Sequence, residues 1–361
     1  MTKRITVLIV DDSAVIRQLL SMLLSDDPEI EVVGAAGDPL EARDMIKQLN
    51  PDVVTLDVEM PNMDGVTFLR KIMTLRPMPV VMVSTLTQAG AEITLEALEI
   101  GAVDFVAKPT HDVANGMAAL AEELRTKVKQ AAHARIGIRR APQAARKPAR
   151  AVRATDKLIA IGASTGGVEA LKALLMDMPA QCPPILITQH MPPRFTAAFA
   201  ERLNRECPMR VSEAKHDDLI EPNHAYIAPG SHHLELIRVA GAYKCRLDDG
   251  PTVSGHRPSV DVLFKSVAKI AGKSAIGVIL TGMGKDGAAG LLEMRMAGAI
   301  TLGQDEHSSL IYGMPRAAFE RGAVMKQFSL SHMADAIVDA CEGGPTAPSR
   351  DKQPPQPARA G

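Results

Sequence analysis

Aromatic residues are scarce in this chain of 361 residues: they make up 3% of it, and tryptophan is absent. Proteins that bind single-stranded nucleic acid stack bases on aromatic rings, and such a platform is hard to build from so few rings. The net charge of −1 conceals one basic stretch, because ten Lys or Arg and no Asp or Glu lie between Arg125 and Arg153. Such a stretch is suited to bind the phosphates of a nucleic acid, and DNA binding is therefore the alternative function. No helix-turn-helix pattern accompanies it, so we expect a solvated spacer and no nucleic-acid partner.

Cysteine is sparse as well, and long apolar runs are missing. The four cysteines lie far apart without a C-x-x-C pair, which argues against a zinc site and fits a reducing compartment. The amino-terminal stretch MTKRITVLIVDD has too few apolar residues for a signal-peptide core. No run approaches the ~18 apolar residues of a membrane span. We expect a cytoplasmic protein with no direct membrane insertion.

The amino-terminal third of the chain repeats one α/β pattern. Residues 1–125 alternate five short β-branched runs, from ITVLIV (5–10) to DFVAK (104–108), with segments of helical periodicity. Five such units predict a doubly wound, flavodoxin-like domain with five parallel strands. Residues 126–153 then change to Ala, Arg and Pro without apolar periodicity, which predicts a basic flexible linker.

A second α/β pattern fills residues 154–342. Apolar strand candidates separated by amphipathic helices predict another doubly wound parallel sheet. Between Ala225 and Asp248 the pattern becomes alternating and interrupted by turns, which predicts a small antiparallel insertion. Residues 343–361 are rich in proline and almost free of large apolar residues, so we expect a disordered tail.

Polar residues end the predicted strands of the first domain. They are Asp11 and Asp12, then Asp57, then Ser84 and Lys108. The carboxyl ends of parallel strands meet in one crevice. Three carboxylates there repel one another unless a hard cation such as Mg²⁺ neutralises them, and a hydroxyl and an ammonium suit a phosphoryl group. Any one of these residues alone is equally well explained as a solvated loop residue, but the five together are not.

These residues lie in blocks that resemble a response-regulator receiver domain. The blocks are VLIVDDS, DVEMPNMDG, VVMVST and DFVAKP, and the resemblance covers about residues 3 to 125. It implies that Asp57 accepts a phosphoryl group and holds Mg²⁺ with Asp11 and Asp12. It also implies three switch residues: Ser84 as the switch hydroxyl, Lys108 as the lysine that pairs with the phosphate, and Phe105 as the aromatic ring that changes rotamer.

The second domain places three further candidates at predicted strand ends. Ser164 follows LIAIGA, His190 follows PILITQ, and Asp286 lies in TGMGKDG (281–287) after IGVIL. At one edge of a parallel sheet, this serine, imidazole and carboxylate would make a nucleophile, a base and an orienting group. Backbone N–H groups of the TGMGKDG loop, and those at the start of the helix near Gly166, would be suited to stabilise an oxyanion.

Each candidate also has a simpler interpretation. A serine in a glycine-rich turn is most often a helix N-cap, and an aspartate before a helix complements its dipole. A single histidine at a strand end is more often structural. The polar segment HRPSVDVLF (256–264) is equally compatible with a plain loop and helix start.

Two other templates fit the glycine-rich turn GASTGG (162–167) poorly. A dinucleotide loop requires G-x-G-x-x-G, whereas the spacing here is G-x-x-x-G-G, and no Tyr-x-x-x-Lys is present. An α/β-hydrolase has its triad in the order Ser, Asp or Glu, His, whereas the candidates here run Ser, His, Asp.

The wider blocks resemble the chemotaxis methylesterase family, CheB. They are IGASTGG, QHMPPRFTAAFAERLN, AYIAPG, GHRPSVDVLF and LTGMGKDGAAGL, and with the receiver blocks they cover nearly all of residues 3 to 342. The resemblance implies hydrolysis of γ-glutamyl methyl esters, and deamidation of particular glutamines, on the cytoplasmic helices of chemoreceptors. It implies a triad of Ser164, His190 and Asp286, with the N–H of Met283 as an oxyanion donor and no cofactor for the esterase reaction.

The same resemblance implies partners and regulation. The partners are methyl-accepting chemotaxis receptors as substrate and a chemotaxis histidine kinase as phosphodonor. The order of the domains suggests that the unphosphorylated receiver covers the edge that contains Ser164, and that phosphorylation of Asp57 weakens this contact.

Overall fold

The computed structural model describes residues 3–84, 87–108, 113–136 and 156–343. These residues belong to two compact units, one within residues 1–141 and the other within residues 142–361. Most of the expected linker and nearly all of the expected tail lie outside the described residues.

The first unit alternates five strands with five helices. In chain order they are β1 (Ile5–Val10), α1 (Ala14–Ser25), β2 (Ile30–Ala36), α2 (Pro39–Leu49), β3 (Val53–Asp57), α3 (Gly65–Leu75), β4 (Val80–Ser84), α4 (Gln88–Ile100), β5 (Asp104–Ala107) and α5 (Val113–Ala132). The strands form one parallel sheet in the order β2-β1-β3-β4-β5. The fold class expected for this part of the chain is thereby confirmed.

Polar side chains cap the first four helices of this unit. The side chains of Ser13, Asp38, Asp64 and Thr87 each accept a hydrogen bond from a backbone N–H in the first turn of the helix that follows. The strands β3 and β4 are buried at every residue, as expected for central strands of a sheet with helices on both faces. The last helix, α5, continues into the stretch that we expected to be linker.

The second unit is larger. In chain order its elements are β6 (Leu158–Ala163), α6 (Gly167–Asp177), β7 (Ile185–Gln189), α7 (Phe195–Glu206), β8 (Arg210–Glu213), β9 (His224–Ile227), β10 (His233–Val239), β11 (Ala242–Asp248), α8 (Val260–Ile270), a 3₁₀ turn (Gly272–Ser274), β12 (Ala275–Ile279), α9 (Ala288–Met296), β13 (Ile300–Gln304), α10 (Met314–Glu320), β14 (Lys326–Phe328) and α11 (Leu330–Cys341).

Seven of these strands form a parallel sheet in the order β14-β13-β12-β6-β7-β9-β8. Within this sheet the chain begins at the central strand β6 and adds β7, β8 and β9 on one side. It then crosses to the other side and adds β12, β13 and β14. The order therefore reverses between β6 and β12, which is where ligands bind in open α/β sheets. Ser164, His190 and Asp286 all follow strands at this central part of the sheet.

The expected antiparallel insertion is confirmed for β10 and β11, which form a two-stranded sheet of their own. It is wrong for AYI, because β9 pairs in parallel with both β7 and β8. All four residues of β9 are buried, so this strand belongs to the interior of the main sheet. The short strand β8, whose sequence RVSE has little apolar character, was not predicted.

Among the helices of the described residues, none has both the length and the apolar character that a membrane span requires.

Candidate active site

Three side chains predicted from separate strand ends are in hydrogen-bonding contact in the second unit. The Oγ of Ser164 lies 3.1 Å from Nδ1 of His190, and Nε2 of His190 lies 2.8 Å from Oδ2 of Asp286. The imidazole therefore faces the serine with Nδ1 and the carboxylate with Nε2. A chain of hydroxyl, imidazole and carboxylate can move a proton from the serine to the ring, while the carboxylate stabilises the resulting imidazolium.

Asp286 is buried and accepts hydrogen bonds from several groups besides the imidazole. Its Oδ1 accepts from the hydroxyl of Ser259 at 2.8 Å and from the N–H of Asp261 at 3.1 Å. Its Oδ2 accepts from the N–H of Val260 at 2.7 Å. Burial acts to raise the pKa of Asp286, but the hydrogen bonds and the charge of His190 outweigh it, and the pKa lies below its usual value. The carboxylate is therefore held ionised, with both of its oxygens fixed.

Ser164 does not serve as the N-cap of helix α6. The N-cap is Gly166, whose φ of +77° is in the left-handed region, and no side chain caps this helix. Thr281 fixes the turn, because its carbonyl accepts from the N–H of Ser164 and its hydroxyl donates to the carbonyl of Thr165. The side-chain amide of Gln189 donates to the carbonyl of Ser164 at 2.9 Å. The serine hydroxyl is thus left directed at the imidazole.

The loop after β12 passes close to Ser164 and carries a backbone N–H at Met283. The N–H of Met283 has no hydrogen-bond partner within the described part of the chain, so it remains available to a ligand. The preceding residue, Gly282, is fixed by the carbonyl of Ile311 and the N–H of Met314. A Cβ on Gly282 would lie 2.7 Å from Cβ of Ser164, which is closer than real atoms pack. The absence of a side chain at residue 282 allows this loop to approach the serine.

Sequence reasoning missed several groups around these three residues. His256 stacks on His190, with the ring centroids 3.7 Å apart. Gln189 and Thr281 act on the backbone around Ser164, and neither carried a recognisable signal in the sequence. His256 and Ser259 both lie in HRPSVDVLF (256–264), where the cluster of polar residues was visible but open to a simpler explanation.

The acidic residues predicted in the first unit also lie together. One carboxylate oxygen from each of Asp11, Asp12 and Asp57 can be chosen so that all three lie within 4.8 Å of one another. The ammonium of Lys108 is 3.0 Å from Asp11 and 2.7 Å from Asp57. Burial raises the pKa of Asp57 to about 6, and the charge of Asp11 adds to the rise against the opposing effect of Lys108.

This pocket fits a hard divalent cation. Three carboxylates face a single ammonium, so ionisation of all three leaves an excess of negative charge that Mg²⁺, which prefers oxygen ligands, would neutralise. Asp11 and Asp57 are buried while Asp12 is exposed, which keeps the pocket open on one side.

The two remaining switch candidates lie on neighbouring strands. Ser84 is buried, and its hydroxyl oxygen lies 2.7 Å from that of Thr94 on α4. The ring of Phe105 is 3% exposed. The ammonium of Lys127 lies 4.9 Å from the centre of this ring, within the range of a cation–π contact.

Together the two units define a class of protein, in which a pocket of three aspartates and a lysine is joined in one chain to a site where a serine, a histidine and an aspartate are in contact. Comparison with known families agrees with both halves. The family model of the response regulator receiver domain matches residues 7–135, and that of the CheB methylesterase matches residues 159–337.

Relatives match over almost the whole chain. A protein-glutamate methylesterase/protein-glutamine glutaminase of Caulobacter vibrioides is 60% identical over 339 residues, which is 93% of this chain and 98% of the relative. Another of the same name from Xanthomonas campestris is 55% identical over 92% of this chain and 96% of its own length. The catalytic domain of the CheB methylesterase of Thermotoga maritima has 34% identity and a TM-score of 0.50, covering 51% of this chain and 97% of its own.

This chain belongs to the CheB methylesterase family. The resemblance seen in the sequence is confirmed, and so is the expectation that the chain is an enzyme with a receiver domain.

Proposed function

We propose that this protein hydrolyses γ-glutamyl methyl esters and deamidates glutamines in chemoreceptors, with Ser164 as nucleophile. The observation that carries the proposal is the continuous contact from Ser164 through His190 to Asp286 at the switch point of the sheet. The names of the relatives, which join a methylesterase to a glutaminase, support both reactions. The cytoplasmic helices of methyl-accepting chemotaxis receptors are the substrate that the family implies.

In the first half of the reaction, Oγ of Ser164 attacks the γ-carbonyl carbon as Nδ1 of His190 takes its proton. Asp286 holds the proton on Nε2, and this leaves the lone pair of Nδ1 directed at the serine. The oxyanion that forms accepts a hydrogen bond from the N–H of Met283. The carbon–oxygen bond of the ester then breaks, and Nδ1–H protonates the leaving methoxide to give methanol.

In the second half, water attacks the ester formed with Ser164 and gives up a proton to Nδ1 of His190. The bond to Oγ breaks, Oγ recovers the proton, and a glutamate carboxylate leaves the site. For a glutamine substrate, ammonia is the first leaving group, and the second half is identical. Every atom that the reaction consumes or releases comes from the substrate, water and the three side chains, and the absence of a cofactor for the esterase reaction remains a prediction.

For the receiver domain, we propose that a carboxylate oxygen of Asp57 attacks the phosphorus of a phosphohistidine on a chemotaxis histidine kinase, so that a P–O bond forms as the P–N bond breaks and the kinase imidazole leaves. Its burial beside Lys108 supports this role, because the ammonium can pair with the incoming phosphoryl oxygens. Asp11, Asp12 and Asp57 would hold Mg²⁺, whose charge would offset the negative charge of the phosphoryl group. Phosphorylation relieves a restraint that the receiver imposes on the esterase, and Ser84 and Phe105 take part in this response.

The proposed compartment is the cytoplasm, where both receptor helices and kinase are accessible. All four cysteines, Cys182, Cys207, Cys245 and Cys341, are unpaired, which supports a reducing environment. The expectations that this protein binds no nucleic acid and does not insert into the membrane remain predictions. A salt-dependent gel shift tests the first of these.

Methanol release from methylated receptor membranes tests the function. The wild type should release methanol, and Ser164→Ala should reduce the release to background. A small phosphodonor should stimulate the wild type, whereas Asp57→Ala should not respond, and removal of Mg²⁺ by a chelator should abolish the stimulation alone. Near wild-type release by Ser164→Ala would eliminate the proposed nucleophile. Equal activity of the full chain and of a fragment from about residue 154, with and without phosphodonor, would eliminate the proposed restraint.

A further inference from the structure

The face of the His190 imidazole is covered by a second imidazole. The ring of His256 stacks on it with centroids 3.7 Å apart and an angle of 13° between the planes. Ser164 and Asp286 already engage the two nitrogens in the plane of the His190 ring. The χ2 torsion of histidine is intrinsically broad, so the ring would otherwise be able to tilt out of that plane. The stack on His256 restrains this tilting.

A tight turn presents His256. Val253 and His256 exchange two backbone hydrogen bonds of 3.0 Å, each N–H donating to the carbonyl of the other residue. The two residues between them, Ser254 and Gly255, have φ values of +55° and +81°. A two-residue turn with both φ values positive has the character of a type I′ turn, and serine adopts this region at a cost that glycine avoids. The cost is consistent with a turn that is retained for what it positions.

Hydrogen bonds also hold the base of this loop. His233 accepts from the N–H of Ser259 with Nδ1, at 3.1 Å, and donates from Nε2 to the carbonyl of Pro251, at 3.0 Å. The guanidinium of Arg257 donates to the carbonyls of Asp249 and Gly250. The position of His256 is therefore determined at the turn and at both ends of the loop.

The same segment goes on to hold the acid of the site. Directly after the loop, Ser259, Val260 and Asp261 provide the three non-imidazole hydrogen bonds to Asp286. One continuous stretch of chain, residues 256–261, thus contacts His190 on its face and fixes the carboxylate at its edge. A displacement of this stretch would disturb both contacts together.

We propose that His256 is a positioning residue for the ester and amide hydrolysis described above, and that its ring keeps the plane of His190 aligned with Ser164 while the proton moves. The inference rests on the proposed function of Ser164 and His190. It concerns the shape and aromatic surface of His256, since His256 itself takes no proton in the reaction. Its contribution should fall on kcat, because the alignment is needed during proton transfer, whereas receptor binding does not depend on it.

The experiment compares His256→Ala, His256→Leu and His256→Phe in the full chain, with saturating phosphodonor and methylated receptor membranes. Phenylalanine keeps a flat aromatic ring, leucine keeps apolar bulk without one, and alanine removes both. Loss of one stacked aromatic pair predicts a decrease in kcat of roughly 3- to 10-fold for alanine and leucine, with KM within about twofold of wild type. Phenylalanine should restore kcat to within about twofold. His216→Ala, which changes an exposed histidine of the same unit, is the matched control.

Three results would overturn the inference: unchanged kcat in His256→Ala, equal kcat for His256→Phe and His256→Leu, or an effect on KM alone. If alanine lowers the unfolding temperature, the comparison of leucine with phenylalanine decides, since both fill the space. An active Ser164→Ala variant would instead refute the proposed function. An inactive Ser164→Ala variant together with a fully active His256→Leu variant would refute only the role of His256.

Discussion

Replacing Asp286 by asparagine should nearly abolish ester hydrolysis while leaving the fold in place. The two side chains have the same shape, but the amide has one NH₂ group where the carboxylate has a second acceptor. If the NH₂ group takes the place of Oδ2, it faces the N–H of Val260, and two donors then point at each other. Nε2 of His190 would also have to accept a hydrogen bond from this NH₂ group instead of donating one. The imidazole would then carry its proton on Nδ1, where it can no longer accept the proton of Ser164.

The alternative orientation of the amide is also unfavourable. At Oδ1, the NH₂ would face the N–H of Asp261 and the hydroxyl of Ser259. The hydroxyl can rotate to accept a hydrogen bond, but the backbone N–H cannot. In this orientation the tautomer of His190 is kept, although the negative charge that stabilises the imidazolium is lost.

The lost charge sets the magnitude. The centres of an imidazolium and a carboxylate in hydrogen-bonding contact are about 4 Å apart, and an effective dielectric constant of about 20 gives an attraction of roughly 4 kcal/mol. At 1.36 kcal/mol per tenfold change in rate, this corresponds to a decrease in kcat of about 10³-fold. Misplacement of the proton in the first orientation would add to this decrease.

The assay is the initial rate of methanol release at saturating receptor, with circular dichroism to verify folding. Asp261→Asn is the matched control, because this second buried carboxylate accepts from the N–H of Gly290 and makes no contact with the imidazole. The control should retain most of its activity. A folded Asp286→Asn variant within tenfold of wild type would refute the assignment of Asp286 as the group that orients and charges His190.

Three further predictions concern single substitutions, two in the receiver unit and one in the second unit. The pKa of Asp57 is about 6 in the folded state against an ordinary 3.8, so ionisation of this carboxyl destabilises the native receiver as the pH rises from about 4 to about 6. Asp57→Asn removes this cost, so in chemical denaturation it should be more stable than the wild type above pH 6 and equally stable near pH 4. A gain in stability that does not depend on pH would contradict this. Gly282→Ala should lower kcat at least tenfold, because the new Cβ would meet Ser164 at 2.7 Å, and unchanged kinetics would show that the loop yields freely. Thr94→Val removes the hydroxyl beside Ser84 and should increase the stimulation of methanol release at a subsaturating phosphodonor concentration; an unaltered dose response would exclude a restraining role for this contact.

Much of the fold could be predicted because the central strands of its two parallel sheets are largely apolar. Strands such as β6 and β12 are buried on both faces, and their sequences are continuous apolar runs. The short strand β8 has an exposed or half-buried position at three of its four residues, so its sequence lacks that signal. Placing AYI in the antiparallel insertion failed because three apolar residues are compatible with either kind of pairing, and only the position of β9 between β7 and β8 decides between them.

The candidate residues at strand ends were visible in the sequence because topology alone brings strand ends together. The groups that support them were not, since their roles depend on loops whose course the sequence pattern does not determine. His256 reaches His190 through a turn closed at Val253, and Gln189 acts through an amide that contacts two backbone carbonyls. Neither contact produces a periodic pattern that distinguishes it from ordinary polar loop sequence.

The orientation of the His190 ring also affects the design of covalent reagents. An alkylating reagent that occupies the substrate site and reacts with His190 would have to reach the nitrogen that faces Ser164. In this protein that nitrogen is Nδ1, next to the carbon that joins the ring to the side chain, while Nε2 is occupied by Asp286. A label with a short, bent linker from its carbonyl to its alkylating carbon should therefore react here, and the adduct should be on Nδ1.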